Sequence, residues 1–575
     1  MRRRFAAMLA VSIQACALEF PVELLDGGAP DEIDAHVDVI DAPSDAGHDA
    51  QVDAGHDAQV DAGIDATIPD AAPSDQHPLA CVGTGTFSWE HVPSGSISRS
   101  DPEGGIVDVA MLELATSRRG AVLFLQSGGL RDGTGSSGLA LYEDETSPCP
   151  GLAPGAPSYG GTADRAISRV LATTLRGAPA MITVSDVGTA GAHVMRDGTS
   201  EFATELDAEA ALLASRSPRG VAVGDLDGDR VEDLVLVGHP DARIALLGGS
   251  RAITPVSEVR HAGRAWLVDV DGDGALDLIA GPDASQASPP RADLATLPGA
   301  LLLGDGHGGL APPEGTDGTF AALSSDGPVA IVDIDVDGDP DVVQWRRGPN
   351  RAELLRNEST PGVVRFGEPE RVEPIGGADV VSFSTFGMRS STAVADVDLD
   401  GAPDVVALGS HHWVLIRGGT AVPRMHVGSS FTDASRRVID PPRFALGDAE
   451  GDGDLDFAIV LRDDASTYAY MMLGEGGGAR TVAIDVRGAP SAGTQVCIAH
   501  EGALSGGGGC GGTLGHSLGV ASTAQSDPTP VRSFYVPSPI ERVDARVIVR
   551  VPGGARIVDV PGLAVGVRHV VTIPD

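Results

Sequence analysis

The chain has 575 residues, a formal net charge of −41 and an aromatic content of 4%. So acidic a surface disfavours nucleic acids and anionic membranes as partners, because both are themselves negatively charged. The shortage of aromatic rings is also slightly unfavourable for a platform on which sugars stack.

The N-terminus predicts export. Arg2, Arg3 and Arg4 precede an apolar run that is too short to span a bilayer permanently. Ile13-Gln14-Ala15-Cys16 resembles a bacterial lipobox, whose cysteine is acylated and becomes the new N-terminus. We therefore expect residues 1–15 to be a signal peptide and Cys16 to carry a lipid. The protein would then lie in the bacterial cell envelope, as an outer-membrane or cell-surface lipoprotein that touches the membrane only through this lipid.

Residues 16–78 are rich in Asp and Ala. Between Asp26 and Asp75 the chain carries thirteen Asp, one Glu and no basic residue apart from histidine. Low hydrophobicity and charge of one sign cannot offset the entropy lost on ordering, so this segment is predicted to be a disordered tether. The histidines within it could bind a transition metal weakly, but a self-repelling spacer is the favoured interpretation.

A nine-residue acidic loop then occurs five times between residues 225 and 456, with carboxylates at positions 1, 3, 5 and 9. The copies, named loops I to V, are Asp225–Asp233, Asp269–Asp277, Asp333–Asp341, Asp396–Asp404 and Asp448–Asp456. Carboxylates this close together repel one another unless a cation lies among them, and Ca²⁺ takes six to eight oxygen ligands. An EF-hand is excluded because none of the loops carries Glu at position 12.

We predict about five calcium sites, each with side-chain ligands at the acidic positions and a backbone carbonyl at position 7. The expected ligands are Asp225, Asp227, Asp229, Val231 and Asp233 in loop I; Asp269, Asp271, Asp273, Ala275 and Asp277 in loop II; Asp333, Asp335, Asp337, Asp339 and Asp341 in loop III; Asp396, Asp398, Asp400, Ala402 and Asp404 in loop IV; and Asp448, Glu450, Asp452, Asp454 and Asp456 in loop V.

Position 6 of the loop is glycine in four copies, as a sharp turn with positive φ requires. Loop I has Arg230 at this position, so we expect backbone strain of about 1 kcal/mol there.

Short apolar runs rich in β-branched residues flank every loop and predict buried strands, for example Val221–Val223 before loop I and Leu234–Val237 after it. Two upstream segments, around Gly120 and Gly177, keep the same frame without the carboxylates. Together these make seven repeats, each with room for several short strands. Seven such repeats predict an all-β fold, a seven-bladed β-propeller over residues 79–479.

The frame D-x-D-x-D-G-x-x-D between apolar strands resembles the FG-GAP, or VCBS, repeat of the integrin α-chain N-terminal β-propeller and its bacterial relatives. Leu301–Leu310 is similar to a strand-turn of bacterial copies, and Gly281-Pro282 to the end of the GAP segment. This resemblance implies that the loops lie on one face of the propeller and that their calcium is chiefly structural.

Residues 480–575 alternate apolar and polar residues in several runs, such as Thr481–Val486, and predict a small β-sandwich-like domain. Its segment Arg550-Val-Pro-Gly-Gly554 is weakly similar to the ASPIC/UnbV domain of the cartilage acidic protein family. Four cysteines remain after Cys16, and the domain boundaries favour the disulfide pairs Cys81–Cys149 and Cys497–Cys510 over the two other connectivities.

We find no convergent catalytic constellation and expect a non-enzymatic protein. Gly515-His-Ser517-Leu-Gly519 matches the nucleophile elbow, but that motif requires a strand-turn-helix. The favoured function is a monomeric, calcium-binding adhesion or scaffold module that binds a protein or glycan. The alternatives are a secreted polysaccharide-acting enzyme on a propeller frame and a purely structural envelope component.

Overall fold

In the computed structural model of the protein, the described residues form β-strands, turns and connecting segments, with no α-helix among them. They are residues 75–78, 88–92, 106–114, 119–126, 137–142, 159–163, 167–175, 178–185, 190–195, 202–207, 218–238, 241–247, 253–260, 262–282, 298–323, 327–346, 351–374, 392–397, 400–409, 412–420, 423–429, 438–448, 455–463, 467–475, 480–490, 492–504, 510, 513–522, 525–526, 531–551 and 554–573. The predicted signal peptide, Cys16, Cys81, Cys149 and the tether up to residue 74 lie outside them. In the described part of the chain, no helix has the length and apolarity that crossing a membrane requires.

Two short strands come first, β1 (Asp75–Pro78) and β2 (Ser88–Val92). The following strands then pair antiparallel with their neighbours in the sequence, in groups of four. Group 1 is β3 (Ile106–Leu114), β4 (Arg119–Gln126), β5 (Ser137–Tyr142) and β6 (Tyr159–Ala163). Group 2 is β7 (Ile167–Leu175), β8 (Ala178–Ser185), β9 (Ala190–Met195) and β10 (Phe202–Asp207). Group 3 is β11 (Pro218–Gly224), β12 (Asp233–Gly238), β13 (Asp241–Ala245) and β14 (Ile253–Arg260).

The same pattern continues downstream. Group 4 is β15 (Ala262–Val268), β16 (Asp277–Pro282), β17 (Gly299–Gly304) and β18 (Leu310–Ala311), with β19 (Thr319–Phe320) also paired to β17. Group 5 is β20 (Val329–Val332), β21 (Asp341–Arg346), β22 (Arg351–Leu355) and β23 (Glu370–Pro374). Group 6 is β24 (Thr392–Ala395), β25 (Asp404–Leu408), β26 (His412–Ile416) and β27 (Arg424–Ser429). Group 7 contains β28 (Val438–Gly447), β29 (Asp456–Asp463) and β30 (Thr467–Glu475), and its fourth strand is the early β2, which pairs with β30.

Consecutive groups share hydrophobic cores. Leu171 and Ile182 of group 2 pack with Val221 and Leu234 of group 3, and similar clusters join groups 3 and 4, 4 and 5, 5 and 6, and 6 and 7. The first strands of the groups also meet, since β3 contacts both β7 and β28. Four-stranded antiparallel sheets that pack face to face in this order form a propeller-type arrangement. The apolar runs predicted as strands on either side of loops I to V are confirmed.

The two upstream frames that lack carboxylates are also strand pairs. In group 2, β7 runs on to Leu175 and β8 begins at Ala178, so the two strands are joined by a much shorter connection than a nine-residue loop. In group 1, β3 ends at Leu114 and β4 begins at Arg119. Blade-like pairing therefore does not depend on the acidic loop.

The C-terminal residues form two further four-stranded sheets around one apolar core. The strands in this part of the chain are β31 (Thr481–Arg487), β32 (Thr494–His500), β33 (Gly515–Leu518), β34 (Ala521–Ser522), β35 (Gln525–Ser526), β36 (Val531–Tyr535), β37 (Arg542–Val551), β38 (Gly554–Ala564) and β39 (Val567–Thr572). One sheet has the order β1-β39-β31-β36 and the other β33-β32-β37-β38. Strand β1 comprises residues 75–78, which are the last four residues of the segment predicted to be a disordered tether.

Strands β34 and β35 belong to neither of these sheets. They form a short hairpin that pairs with β11 of group 3 and β24 of group 6. The hairpin also contacts β7, β15 and β28, and the Gln525 side chain is hydrogen-bonded to Ile331 in β20. The hairpin thus touches the first strand of six groups, which places it among their innermost strands. No sequence pattern indicated this insertion.

Candidate metal centre

Each acidic loop connects the first strand of a group to the second. Loop I joins β11 to β12, and loops II, III, IV and V occupy the same place in groups 4, 5, 6 and 7. In loops I to IV the apolar residue at position 2, such as Leu226 in loop I, is buried and fixes the loop to the core below it. Loops I to III are described completely. The predicted ligands Asp398, Glu450, Asp452 and Asp454 lie outside the described residues.

The carboxylates at positions 1 and 5 of the loop accept hydrogen bonds from the loop's own backbone. Position 1 accepts the N–H of position 6, as in Asp225 from Arg230 at 2.9 Å and Asp396 from Gly401 at 2.9 Å. Position 5 accepts the N–H of position 7. The distances are 2.8 Å from Val231 to Asp229 in loop I, 2.8 Å from Ala275 to Asp273 in loop II, 3.0 Å from Asp339 to Asp337 in loop III, and 2.9 Å from Ala402 to Asp400 in loop IV. These bonds curl the loop so that alternate side chains converge.

The positive φ expected at position 6 is confirmed. It is 67° at Arg230, 92° at Gly274, 104° at Gly338 and 95° at Gly401. The non-glycine residue of loop I therefore adopts the left-handed conformation that its position demands. Loop III has a second such residue, Val336 at position 4, with a φ of 60°. No repeat of the motif indicated this second strained position.

The ninth aspartate has a role that the sequence analysis missed. Its two oxygens accept backbone N–H groups from separate segments, in loop I from Leu226 at 2.9 Å and from Leu247, beyond the third strand, at 2.9 Å. The same pair of bonds recurs at Asp277, Asp341 and Asp404. Position 9 therefore clamps the loop to the end of the third strand. The repeated spacing gave no signal that separates this clamp from a metal ligand.

Three of the described loops bring carboxylate oxygens together within 4.8 Å of one another. In loops I and II the convergent residues are those at positions 1, 3 and 5, namely Asp225, Asp227, Asp229, Asp269, Asp271 and Asp273. In loop III they are Asp333, Asp335 and Asp341, at positions 1, 3 and 9. Asp337, which was predicted as a ligand, is not part of that group.

Burial makes several carboxylates of the acidic loops costly to ionise when no cation is bound. It raises the pKa of Asp233 and Asp333 to about 7 and that of Asp341 to about 8, and neighbouring carboxylates add to each rise. The pKa of Asp269 is raised to about 6 by burial, although the Arg550 guanidinium acts against this rise. Buried oxygens Oδ1 of Asp269 and Asp335 have no hydrogen-bond partner. An oxygen-rich donor set with unpaired buried oxygens fits a hard cation such as Ca²⁺.

No protein-family model matches the chain, and no curated protein matches it. Solved structures that match include a lectin of Agrocybe aegerita that recognises non-reducing terminal N-acetylglucosamine, at 17% identity and a TM-score of 0.39, over 64% of this chain and 94% of that one. BP39L lectin from Burkholderia pseudomallei matches at 11% identity and a TM-score of 0.42, over 64% and 96%. The WD40 domain of SCAP from fission yeast matches at 8% identity and 0.32, over 68% and 98%. The propeller-type fold of this chain is therefore inferred from its own strand pairings and shared hydrophobic cores.

The C-terminal domain, residues 480–575, contributes side chains to this centre. Arg550 Nε lies 3.6 Å from Asp269 Oδ2 in loop II, and His516 Nδ1 lies 3.3 Å from Asp333 Oδ2 in loop III. His516 is only 2% exposed, and burial lowers its pKa to about 4. The motif Gly515–Gly519 that contains it starts with strand β33 rather than forming a strand-turn-helix.

One disulfide ties strand β32 to residue 510, which lies between β32 and β33, and strand β37 packs against it. The predicted Cys497–Cys510 bond is present, with both cysteines buried against Ile548. The other predicted bond, Cys81–Cys149, lies outside the described residues.

Proposed function

We propose that the protein is a calcium-binding lipoprotein of the bacterial cell surface whose β-propeller binds a protein or glycan. The observation that carries the proposal is the convergence of carboxylates in loops I to III, together with one buried carboxylate oxygen in each of loops II and III that accepts no hydrogen bond. The export signal and the lipidated Cys16 expected from the sequence place it outside the cytoplasm, where calcium is plentiful.

The seven groups are, in this proposal, the blades of a closed ring. Contact between β3 and β28 supports closure, as does the pairing of β2, from the start of the chain, with β30 in the last group. Completing the last blade with a strand from the other end of the chain ties the ring shut. Groups 1 and 2 have no acidic loop, so packing alone holds these two blades.

Calcium is structural in this proposal. Its ligands would be the carboxylates at positions 1, 3 and 5 in loops I and II, and those at positions 1, 3 and 9 in loop III. The ion would offset the repulsion between carboxylates and the cost of burying them. Ions that bind only the folded state stabilise it by mass action. We expect affinities in the range of about 10⁻⁴–10⁻³ M that is typical of extracellular modules.

The calcium proposal is tested by calorimetric titration and by thermal unfolding with calcium or with chelator. We expect about five ions per chain and a lower unfolding temperature in chelator. The double variant Asp271→Asn/Asp273→Asn should lose one ion, whereas Asp317→Asn, an exposed aspartate outside the loops, should lose none. Unfolding curves that do not respond to chelator would refute calcium binding.

The binding proposal is tested on a glycan array and on a panel of envelope proteins, each with calcium and with chelator. Binding that disappears only together with the fold would support a structural ion. The localisation is tested separately by palmitate labelling of the wild-type protein and of Cys16→Ala, which should not incorporate the label.

A further inference from the structure

The C-terminal domain docks on the turns of the acidic loops. A methyl group on Gly274 of loop II would lie 2.1 Å from the Val551 carbonyl oxygen, and one on Gly401 of loop IV only 2.0 Å from that of Leu514. Between them, Gln495 Nε2 donates a hydrogen bond to the carbonyl oxygen of Gly338 in loop III at 3.0 Å. Position 6 of three neighbouring loops thus forms one contact surface for the domain.

The domain also contacts the first aspartates of two loops. His516 and Arg550 approach Asp333 and Asp269, as described above, and the backbone N–H of His516 donates to the carbonyl oxygen of Gly401 at 3.0 Å. His516 therefore lies between loops III and IV. The buried imidazole of His516 thus packs directly against the first aspartate of loop III.

The same segment of the domain inserts into the propeller. Only a few residues after His516, the hairpin β34-β35 pairs with β11 and β24. The Gln525 side chain accepts the N–H of Ile331 at 2.8 Å and donates to its carbonyl oxygen at 2.9 Å, like a strand residue. Contact with the loops and insertion among the innermost strands are thus made by one short stretch of chain.

We propose that calcium binding by the loops and docking of the C-terminal domain are coupled, so that calcium holds the hairpin in the propeller. This inference rests on the proposed calcium binding. Without a cation, the convergent carboxylates repel one another and the first aspartate shifts. That aspartate accepts the N–H of position 6, so the turn shifts with it. The domain backbone lies so close to Gly274 and Gly401 that an added methyl group would overlap it, so a turn that shifts toward the domain must displace it.

Coupling has two consequences. By linkage, docking must raise calcium affinity by the same factor by which calcium favours docking. In addition, the face that carries loops II to IV is covered by the chain's own domain when calcium is bound. An external partner of the calcium-loaded protein therefore binds another surface, and the loop face becomes accessible only on undocking.

Hydrogen exchange on the full chain tests the coupling, with calcium or with chelator. Amides of residues 514–526 should exchange at least about tenfold faster in chelator, while those of β25 in the blade core stay protected. Equal protection of the hairpin in both conditions would overturn the proposal. Calorimetric titration of the same preparation separates the two failures, since absence of calcium binding would refute the proposed function itself.

Two glycine variants provide a matched pair. Gly338 and Gly401 both have positive φ at position 6, but a methyl group on Gly338 meets nothing within 4 Å. Gly401→Ala should bind calcium about tenfold more weakly than Gly338→Ala and should expose the hairpin to exchange even with calcium. Equal affinities would contradict the coupling, and the wild-type exchange experiment stands even if Gly401→Ala does not fold.

Discussion

The ninth aspartate of the loop joins three parts of a blade through two oxygens. Asp233 is fully buried, and it accepts backbone N–H groups of Leu226 and Leu247 from opposite sides. A buried backbone N–H without an acceptor costs about 1–3 kcal/mol, so the clamp stabilises the blade whether or not an ion is bound. In loop III the carboxylate at position 3 also reaches the end of the third strand, because Arg356 donates to Asp335. The ninth carboxylate of the acidic loop therefore has a structural role that does not depend on a cation.

Backbone strain in loop III gives a prediction at this scale. Val336 is β-branched and has a φ of 60°, a conformation that costs a residue with a Cβ about 1–2 kcal/mol. Val336→Gly should therefore raise the free energy of unfolding by about 1 kcal/mol, measured by urea denaturation with calcium present. Val336→Ala is the control, because it keeps the Cβ and should gain much less. A glycine variant no more stable than the alanine variant would contradict the strain argument.

The buried aspartates also predict how stability depends on pH. Folded-state pKa values of about 7 for Asp333 and about 8 for Asp341 exceed the ordinary 3.8, so these groups bind more protons folded than unfolded. Their stabilising contribution is complete below 3.8 and is lost as the pH rises through 7 to 8. His516 has the opposite sign, since its pKa falls from 6.5 to about 4, and above 6.5 it is neutral in both states.

In chelator, the unfolding temperature should therefore fall between pH 6.5 and about 8.5, where only the aspartates contribute. Saturating calcium should remove most of this fall, because the ion replaces the proton as the counter-charge. Differential scanning calorimetry at matched ionic strength measures both series. An unfolding temperature in chelator that rises over this range would contradict the assignment of buried, proton-binding aspartates.

At the scale of elements, the hairpin β34-β35 supplies hydrogen-bond partners for backbone groups of β20, the first strand of group 5. Two-residue strands are too short to hold themselves in place, so their register depends on the strands around them. Gln525 is 2% exposed, and both ends of its amide bond to the Ile331 backbone. A side chain here satisfies two main-chain groups of an innermost strand.

Gln525→Ala should thus destabilise the protein by about 2 kcal/mol or more, because an N–H and a C=O of Ile331 lose their partner inside the protein. Gln525→Glu keeps an acceptor for the N–H but cannot donate to the carbonyl, and it buries a charge, so it should be at least as harmful. Urea denaturation followed by circular dichroism measures both. A Gln525→Ala variant within about 0.5 kcal/mol of wild type would show that water replaces the amide.

The contrast between loop and hairpin explains what the sequence could predict. Loops I to V repeat a spacing dictated by local chemistry, so their turns, their positive φ and the strands on both sides were predictable. The hairpin Ala521–Ser526 has no period and no repeated partner, because its environment comes from strands far away in sequence. The Asp333–His516 contact also joins distant segments, and a lone histidine in a strand carries no local signal. Contacts between distant segments were therefore the part that remained hidden.

At the scale of the whole molecule, the last group is completed by a strand from an early part of the chain. Strand β2 pairs with β30 over five residue pairs and covers the edge of group 7. Its net contribution to stability is modest, because about 1 kcal/mol per hydrogen bond is set against about 1–2 kcal/mol per ordered residue. Its larger effect is to cover an open sheet edge, which would otherwise recruit a strand from another molecule.

Two truncations separate this role from the rest of the N-terminal region. Chains that begin at Gly83 or at Pro93 both lack the tether, β1 and Cys81, and only the second lacks β2. Both chains uncover β39 equally by losing β1, so the shorter one should self-associate more than the longer one in light scattering, through the additional exposed edge of β30. A peptide of residues 83–92, added in excess, should reduce the self-association of the shorter chain to that of the longer one by pairing with that edge. If the two chains self-associate equally without the peptide, β2 does not cover β30, because an uncovered β30 would leave the last group open to association.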